Sequence, residues 1–238
     1  MPEKSRRLLL ISNSTQHGRG YLDHAIAEVD DFLRAARRLV FVPYALADRA
    51  GYGAKVAERL AAIEVEVETA TPDAAGSEAL RRAEAVFVGG GNTFRLLKIL
   101  QDSGQLEVLR ARARDGMPYL GSSAGSGIAA PTIRTTNDMP ILEPSSLASL
   151  GLIPFQLNLH YVDPDPGSTH MGETREVRLL QYHEENATPV LGLREGAWLR
   201  VEGPVATLGG TTGGRLFRRG QPAEELTTGA DLSGLLVV

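Results

Sequence analysis

The sequence predicts an α/β fold built on a mostly parallel sheet with helices on both faces. Three observations carry that prediction. Short apolar runs, too short for helices, alternate with segments whose apolar residues recur at helical spacing. The runs are nearly continuous in Leu, Ile, Val and Phe, as expected of strands buried on both faces. Two of them empty into glycine-rich turns, Gly89-Gly90-Gly91 and Gly121-Ser122-Ser123-Ala124-Gly125, each followed by a helical pattern.

Taken in order, Leu8 to Ile11 is the first strand, and a polar loop follows from Ser12 to Gly18. A helix then carries Leu22, Ile26, Val29, Phe32 and Leu33 on one face. Leu39 to Val42 is the second strand, stopped by Pro43, which has no N–H to give a ladder. A helix over Ala54 to Ala62 precedes a third strand around Val65 and Val67. Ala85 to Val88 is the fourth. Past its glycine turn, one helix carries Phe94, Leu97 and Leu100, and another runs from Leu106 to Ala113. The fifth strand, beginning at Pro118, leads into the serine turn.

The second half is less regular. Pro131 to Pro144 reads as a polar loop, Ile153 to His160 contains a strand, and a helix spans Thr174 to Glu184. Short strands follow at Val190 to Leu193, Ala197 to Val201 and Val205 to Leu208. No repeat or linker interrupts the chain, so residues 1–238 are expected to form one domain.

Composition narrows the class. The chain has 238 residues, 42% hydrophobic and 23% charged, with a net charge of -4. That acidic balance argues against nucleic acid as a partner. Cysteine is absent, which removes disulfides, thiolate metal sites and a cysteine nucleophile, and fits a cytoplasmic location. The leucines after Arg6-Arg7 run straight into a polar loop, so they read as a first strand, not a signal peptide. No apolar run approaches the ~20 residues needed to cross a bilayer, so no membrane partner is expected. No cofactor and no metal are called for, and a monomer or homodimer is expected.

The chemistry centres on Gly121-Ser122-Ser123-Ala124-Gly125, a G-x-S-x-G turn between an apolar strand and a helical pattern. Such a turn lifts Ser123 above the end of the sheet, and its glycines allow neighbouring backbone to pass close by. A serine hydroxyl needs a base within reach. Of five histidines, His24 and His183 lie in helical patterns and read as partly exposed surface, while His17 and His170 lie in loops. His160 closes a strand, at the end of a sheet where ligand-contacting groups collect. A base needs a carboxylate to fix its tautomer. Asp138, in the loop after the serine turn, and Glu195, just past an apolar strand, both qualify, and spacing does not rank them. The oxyanion of a tetrahedral intermediate needs two donors. Ala124 supplies one N–H, and the Gly90-Gly91 backbone can supply the other. The glycine triplet lacks the Lys-Ser/Thr of a Walker loop and the spacing of a dinucleotide site, which argues against a nucleotide.

Several segments in one order resemble the aspartyl dipeptidase (peptidase E) family of serine peptidases. They are Leu8 to Thr15, Val88 to Phe94, Gly121 to Gly125, Pro131 to Pro140, Asn158 to His160, Gly172 to Glu176 and Leu193 to Trp198. The resemblance implies an intracellular exopeptidase that cleaves dipeptides after an N-terminal aspartate. It implies a three-layer α/β/α, flavodoxin-like fold similar to class I glutamine amidotransferases, with serine where those carry cysteine. Ser123 is then the nucleophile, His160 the base, Glu195 the first choice for the acid and Asp138 a nearby acid. Ser122 stands where family members often carry tryptophan, which implies a less filled pocket beside the turn. A buried aspartate side chain in the substrate needs a cation, and arginine gives a bidentate one. Arg175 is the candidate, then Arg134, with Asn92 a further substrate contact. Related peptidases of carboxypeptidase-like or cyanophycinase-like specificity, or a binding protein that keeps the shell without catalysis, are the alternatives.

Overall fold

The computed structural model describes residues 6–169 and 171–237, so the loop reading of His170 lies outside the described residues. Its large sheet has seven strands in the order β3-β2-β4-β5-β1-β8-β9. These are β1 (Arg7–Ile11), β2 (Arg38–Val42), β3 (Glu66–Thr69), β4 (Ala85–Val88), β5 (Tyr119–Ser122), β8 (Ala197–Glu202) and β9 (Val205–Gly210). The first five pair in parallel, and β8 and β9 add an antiparallel edge beside β1.

Successive side chains of β1 enter opposite cores, as strand geometry requires. Leu9 and Ile11 pack with α1 (Ile26–Leu33) and α2 (Arg49–Ala61), through Val29, Phe32, Val56 and Leu60. Leu8 and Leu10 face α3 (Ala74–Arg82), α4 (Thr93–Asp102) and α5 (Gln105–Arg114), through Leu80, Leu97 and Leu109. The three layers expected from the sequence are therefore present.

A second sheet was not foreseen. It has four strands in the order β11-β10-β7-β6, namely β6 (Gln156–Leu159), β7 (Val190–Leu193), β10 (Gly214–Phe217) and β11 (Glu224–Leu226). Only β6 and β7 run parallel. Leu157, Leu191 and Leu193 bury into the same core as Leu8 and Leu10, while α7 (Arg175–Glu185) packs beside the other side through Leu179, Tyr161 and Phe217. The Pro131-to-Pro144 loop is pinned to β6: Thr135 Oγ1 donates to the Leu157 carbonyl at 2.8 Å and Asn137 Nδ2 to the Leu159 carbonyl at 2.7 Å. The consequence for function is positional. β5 ends at Ser122 and β6 ends at Leu159, so the residues that follow them meet where the two sheets adjoin.

Candidate active site

Ser123 follows β5 with φ 49° and ψ −118°, before the four-residue helix α6 (Ala124–Gly127). Its N–H donates to the Ile11 carbonyl at 3.0 Å, which ties the turn to the neighbouring strand. The glycine at 125 is sterically required, because a Cβ there would sit 1.9 Å from the Val88 carbonyl oxygen.

His160 follows β6, also at positive φ (51°). Ser123 Oγ lies 2.9 Å from His160 Nε2, and His160 Nδ1 lies 2.7 Å from Glu195 Oε1. A carboxylate there holds the proton on Nδ1 and leaves Nε2 to accept from the serine hydroxyl. Glu195 follows β7 and is itself braced. Thr212 Oγ1 donates to its carbonyl at 2.8 Å, and Gly196 N–H donates to Asn13 Oδ1 at 2.8 Å. Next door, Arg194 grips Asp163 (2.6 and 2.8 Å) and Glu225 (2.6 and 2.9 Å). That guanidinium holds both carboxyls below their usual range.

Ser12, at the end of β1, is fully buried and joins the sheets. His160 N–H donates to its Oγ at 3.0 Å, and its hydroxyl donates to the Leu193 carbonyl at 2.9 Å.

Two cavities meet at Ser123 and His160. One is lined by threonines 93, 132, 135 and 136 together with Asp138. The other, about 540 Å³, is lined by Gly90, Gly91, Tyr21, Tyr52 and Lys55 among others. The N–H groups of Gly91 and Ala124 make no hydrogen bond among the described residues.

The remaining sequence candidates fall in several places. Asp138 lines the first cavity but makes no hydrogen bond to His160. Its Oδ2 accepts from the Thr93 N–H (2.7 Å) and Thr93 Oγ1 (2.5 Å). Gly90 does not offer a free donor, because its N–H donates to the Tyr52 hydroxyl at 2.9 Å. Asn92 lines neither cavity: its Oδ1 caps α4 through the Arg95 N–H at 3.0 Å and its Nδ2 donates to the Met139 carbonyl at 2.8 Å. Arg134 is exposed and lines neither cavity, because Ile133 and Thr135 on either side take the inward positions. Arg175 lines a separate depression with Val162, Asp165 and Arg178. It makes no ion pair among the described residues, since Glu173 pairs with Arg178 and Glu176 with Arg215. Burial and the neighbouring Arg178 push its guanidinium down, and Asp138 pulls it up.

Ser122 is fully buried and lines neither cavity. His183 is buried, with Nδ1 3.1 Å from the Asn186 carbonyl, and is not surface as expected. His24 precedes α1 and is half-buried, and burial lowers its affinity for a proton. Ser12, Tyr52, Thr93 and Arg194 were missed as candidates. Ser12, Thr93 and Arg194 lie inside the family-like segments, whereas Tyr52 left no motif.

A serine, a histidine and a carboxylate in one hydrogen-bonded chain, at the C-terminal ends of strands in an α/β fold, define the serine hydrolase class. The chain belongs to peptidase family S51, whose profile matches residues 8–209. It is 59% identical over 231 residues to a peptidase E of Streptomyces coelicolor, covering 97% of this chain and 95% of that one. It is 45% identical over 235 residues to a probable alpha-aspartyl dipeptidase of Drosophila melanogaster, covering 98% of each. Solved structures share the fold. A putative peptidase E from Listeria monocytogenes superposes with TM-score 0.68 at 20% identity, covering 88% of this chain and 100% of that one. A peptidase from an acI-B1 actinobacterium gives 0.72 at 13%, covering 97% and 98%. No helix among the described residues is long and apolar enough to cross a membrane.

Proposed function

We propose that this peptidase is a serine dipeptidase that hydrolyses the bond after an N-terminal aspartate, with Ser123 as nucleophile. The observation that carries the reading is the chain from Ser123 Oγ through His160 to Glu195, at the meeting point of two cavities. His160 Nε2 takes the hydroxyl proton as Oγ attacks the carbonyl carbon, and Glu195 stabilises the imidazolium. The N–H groups of Gly91 and Ala124 are the free donors for the oxyanion. Collapse of the intermediate breaks the C–N bond, His160 passes its proton to the leaving amine, and water then releases aspartate from Ser123 by the same base. An intracellular setting fits a chain without cysteine.

Selectivity needs a charge for each end of an N-terminal aspartate. Arg175, which makes no ion pair among the described residues, is the cation proposed for the substrate side chain. Asp138 is proposed for the α-ammonium: Thr93 uses only Oδ2, so Oδ1 remains free beside Ser123 and His160.

The test is hydrolysis of an Asp-linked dipeptide, a Leu-linked dipeptide and a C-terminally extended Asp peptide by wild type and Ser123→Ala. The Asp-linked dipeptide is expected to turn over fastest, and Ser123→Ala to fall by at least ~10³-fold in kcat. Equal rates on Asp- and Leu-linked substrates would overturn the specificity, and an active Ser123→Ala the mechanism.

A further inference from the structure

Four of the five consecutive N–H groups from Gly89 to Thr93 are tied down, and the exception lies beside Ser123. Gly89 N–H donates to the Val42 carbonyl at 3.1 Å and Asn92 N–H to the Ala45 carbonyl at 3.0 Å. Thr93 N–H donates to Asp138 Oδ2 at 2.7 Å, and Gly90 N–H to the Tyr52 hydroxyl at 2.9 Å. Gly91 N–H alone has no acceptor among the described residues, and Gly91 lines the cavity that holds Ser123 and His160. Its φ of +132° is one that L side chains avoid, and a Cβ would lie 2.6 Å from the Ala45 carbonyl oxygen.

A free donor contributes to catalysis only if it is aimed before the reaction begins. Three successive glycines have little intrinsic preference for one backbone path, so the anchors set the aim. Two anchors flank Gly91, the Ala45 carbonyl on Asn92 N–H and the Tyr52 oxygen on Gly90 N–H; the second is a side chain, and Tyr52 is well fixed. It is 7% exposed, stands edge-on to Phe41 at 4.8 Å between ring centroids, and its hydroxyl lies 3.3 Å from that of Tyr21.

We infer that Tyr52 is a positioning residue for the oxyanion donor. By holding Gly90 N–H it orients the Gly90–Gly91 segment and leaves Gly91 N–H directed at the carbonyl under attack. This rests on the reading of Ser123 as nucleophile. A mispointed donor harms the tetrahedral state and barely touches substrate binding, so the signature lies in kcat, not KM.

Tyr52→Phe keeps the ring and removes only the oxygen. With an Asp-linked dipeptide it is expected to lower kcat by about 10- to 100-fold, less than outright loss of an oxyanion donor, while KM moves less than about twofold. A peptide aldehyde that forms a tetrahedral adduct on Ser123 should weaken in step with kcat/KM, and binding of the product aspartate should hold. Tyr44→Phe, which removes a buried hydroxyl bonded to Gln105 and leaves the Tyr52–Gly90 bond in place, should stay within about threefold of wild type. A 3-fluorotyrosine at position 52 weakens the acceptor without changing the packing and should give an intermediate kcat, which covers a Tyr52→Phe protein that fails to fold.

The inference is overturned if kcat of Tyr52→Phe stays within twofold of wild type. It is equally overturned if KM rises as much as kcat falls, or if Tyr44→Phe is as damaged as Tyr52→Phe. If wild type itself does not cleave the dipeptide, or Ser123→Ala still does, the failure lies in the nucleophile assignment and is seen separately.

Discussion

Ser123 and His160 both carry positive φ, at 49° and 51°, a conformation that costs a non-glycine residue of order 1 kcal/mol or more. Each is held there by the end of β1: Ser123 N–H by the Ile11 carbonyl, His160 N–H by Ser12 Oγ. Both residues were legible in the sequence because each ends an apolar run, where a sheet presents its ligand-contacting groups. Spacing did not rank Glu195 against Asp138, since it says nothing about which carboxylate faces an imidazole; only the family resemblance favoured Glu195. The fold resolves the contacts: Glu195 Oε1 meets His160 Nδ1, while Asp138 Oδ2 is held by Thr93. The two therefore fail differently when neutralised. Glu195→Gln is expected to lower kcat by about 10²- to 10⁴-fold with little change in KM, as when the imidazole loses its tautomer. Asp138→Asn is expected to act mainly on KM for the Asp-linked dipeptide, raising it about tenfold or more, through loss of the proposed ammonium partner. Steady-state kinetics on the two variants decide this, and a KM-only effect in Glu195→Gln would remove it from the relay.

At the scale of elements, β1, β2, β4 and β5 were readable because each is a mainly apolar run buried on both faces, whereas β3 is a largely exposed edge strand marked only by Val65 and Val67. β10 and β11 were not, because three- and four-residue strands rich in Gly, Arg and Glu carry almost no apolar signal. α2 begins at Arg49, capped by Asp48, well before the expected Ala54, since Gly51 and Gly53 disguised its first turns. α3 was masked by its run of Ala, Gly and Ser. These overlooked pieces matter to the site. Arg194 at the end of β7 reaches Asp163 after β6 and Glu225 on β11, clamping three segments beside Glu195. The two carboxyls titrate below their usual range because Arg194 bonds their ionised forms. The folded chain therefore keeps them ionised where the unfolded chain has already taken up protons. The clamp's stabilisation is complete above the unfolded values near pH 4 and drains away as acid approaches the lower, folded ones. Both carboxylates are substantially exposed, so water screens the pair, and Arg194→Met is expected to lose only about 1 kcal/mol at pH 7. In denaturant titrations that difference should shrink between pH 4 and pH 3. A difference that grows in acid would show that the clamp is not what Arg194 contributes.

The whole molecule is two sheets that share a core, with Ser123 following one and His160 and Glu195 following the other. Neither sheet alone carries all three residues, so the proposed catalysis depends on how they are docked. Apolar packing of Leu157, Leu191 and Leu193 against the β1 side supplies most of the adhesion but little lateral precision. Direction comes from the polar tie at Ser12, whose single oxygen accepts from His160 N–H and donates to the Leu193 carbonyl. Ser12→Ala removes one atom yet leaves the His160 N–H without its acceptor, while the Leu193 carbonyl keeps the Tyr161 N–H, which predicts a loss of about 1–3 kcal/mol in unfolding free energy. It also releases the strained backbone of His160 and lets the second sheet shift against the first. A displacement near 1 Å is enough to misalign Oγ and Nε2, so kcat should fall by about 10²-fold. Ser12→Thr, which retains the hydroxyl oxygen in a slightly crowded setting, should recover part of the activity. The distinguishing measurement is kcat well below the melting transition, where every variant is fully folded. If Ser12→Ala is less stable but turns over like wild type there, the tie serves stability alone, and sheet docking is fixed by packing.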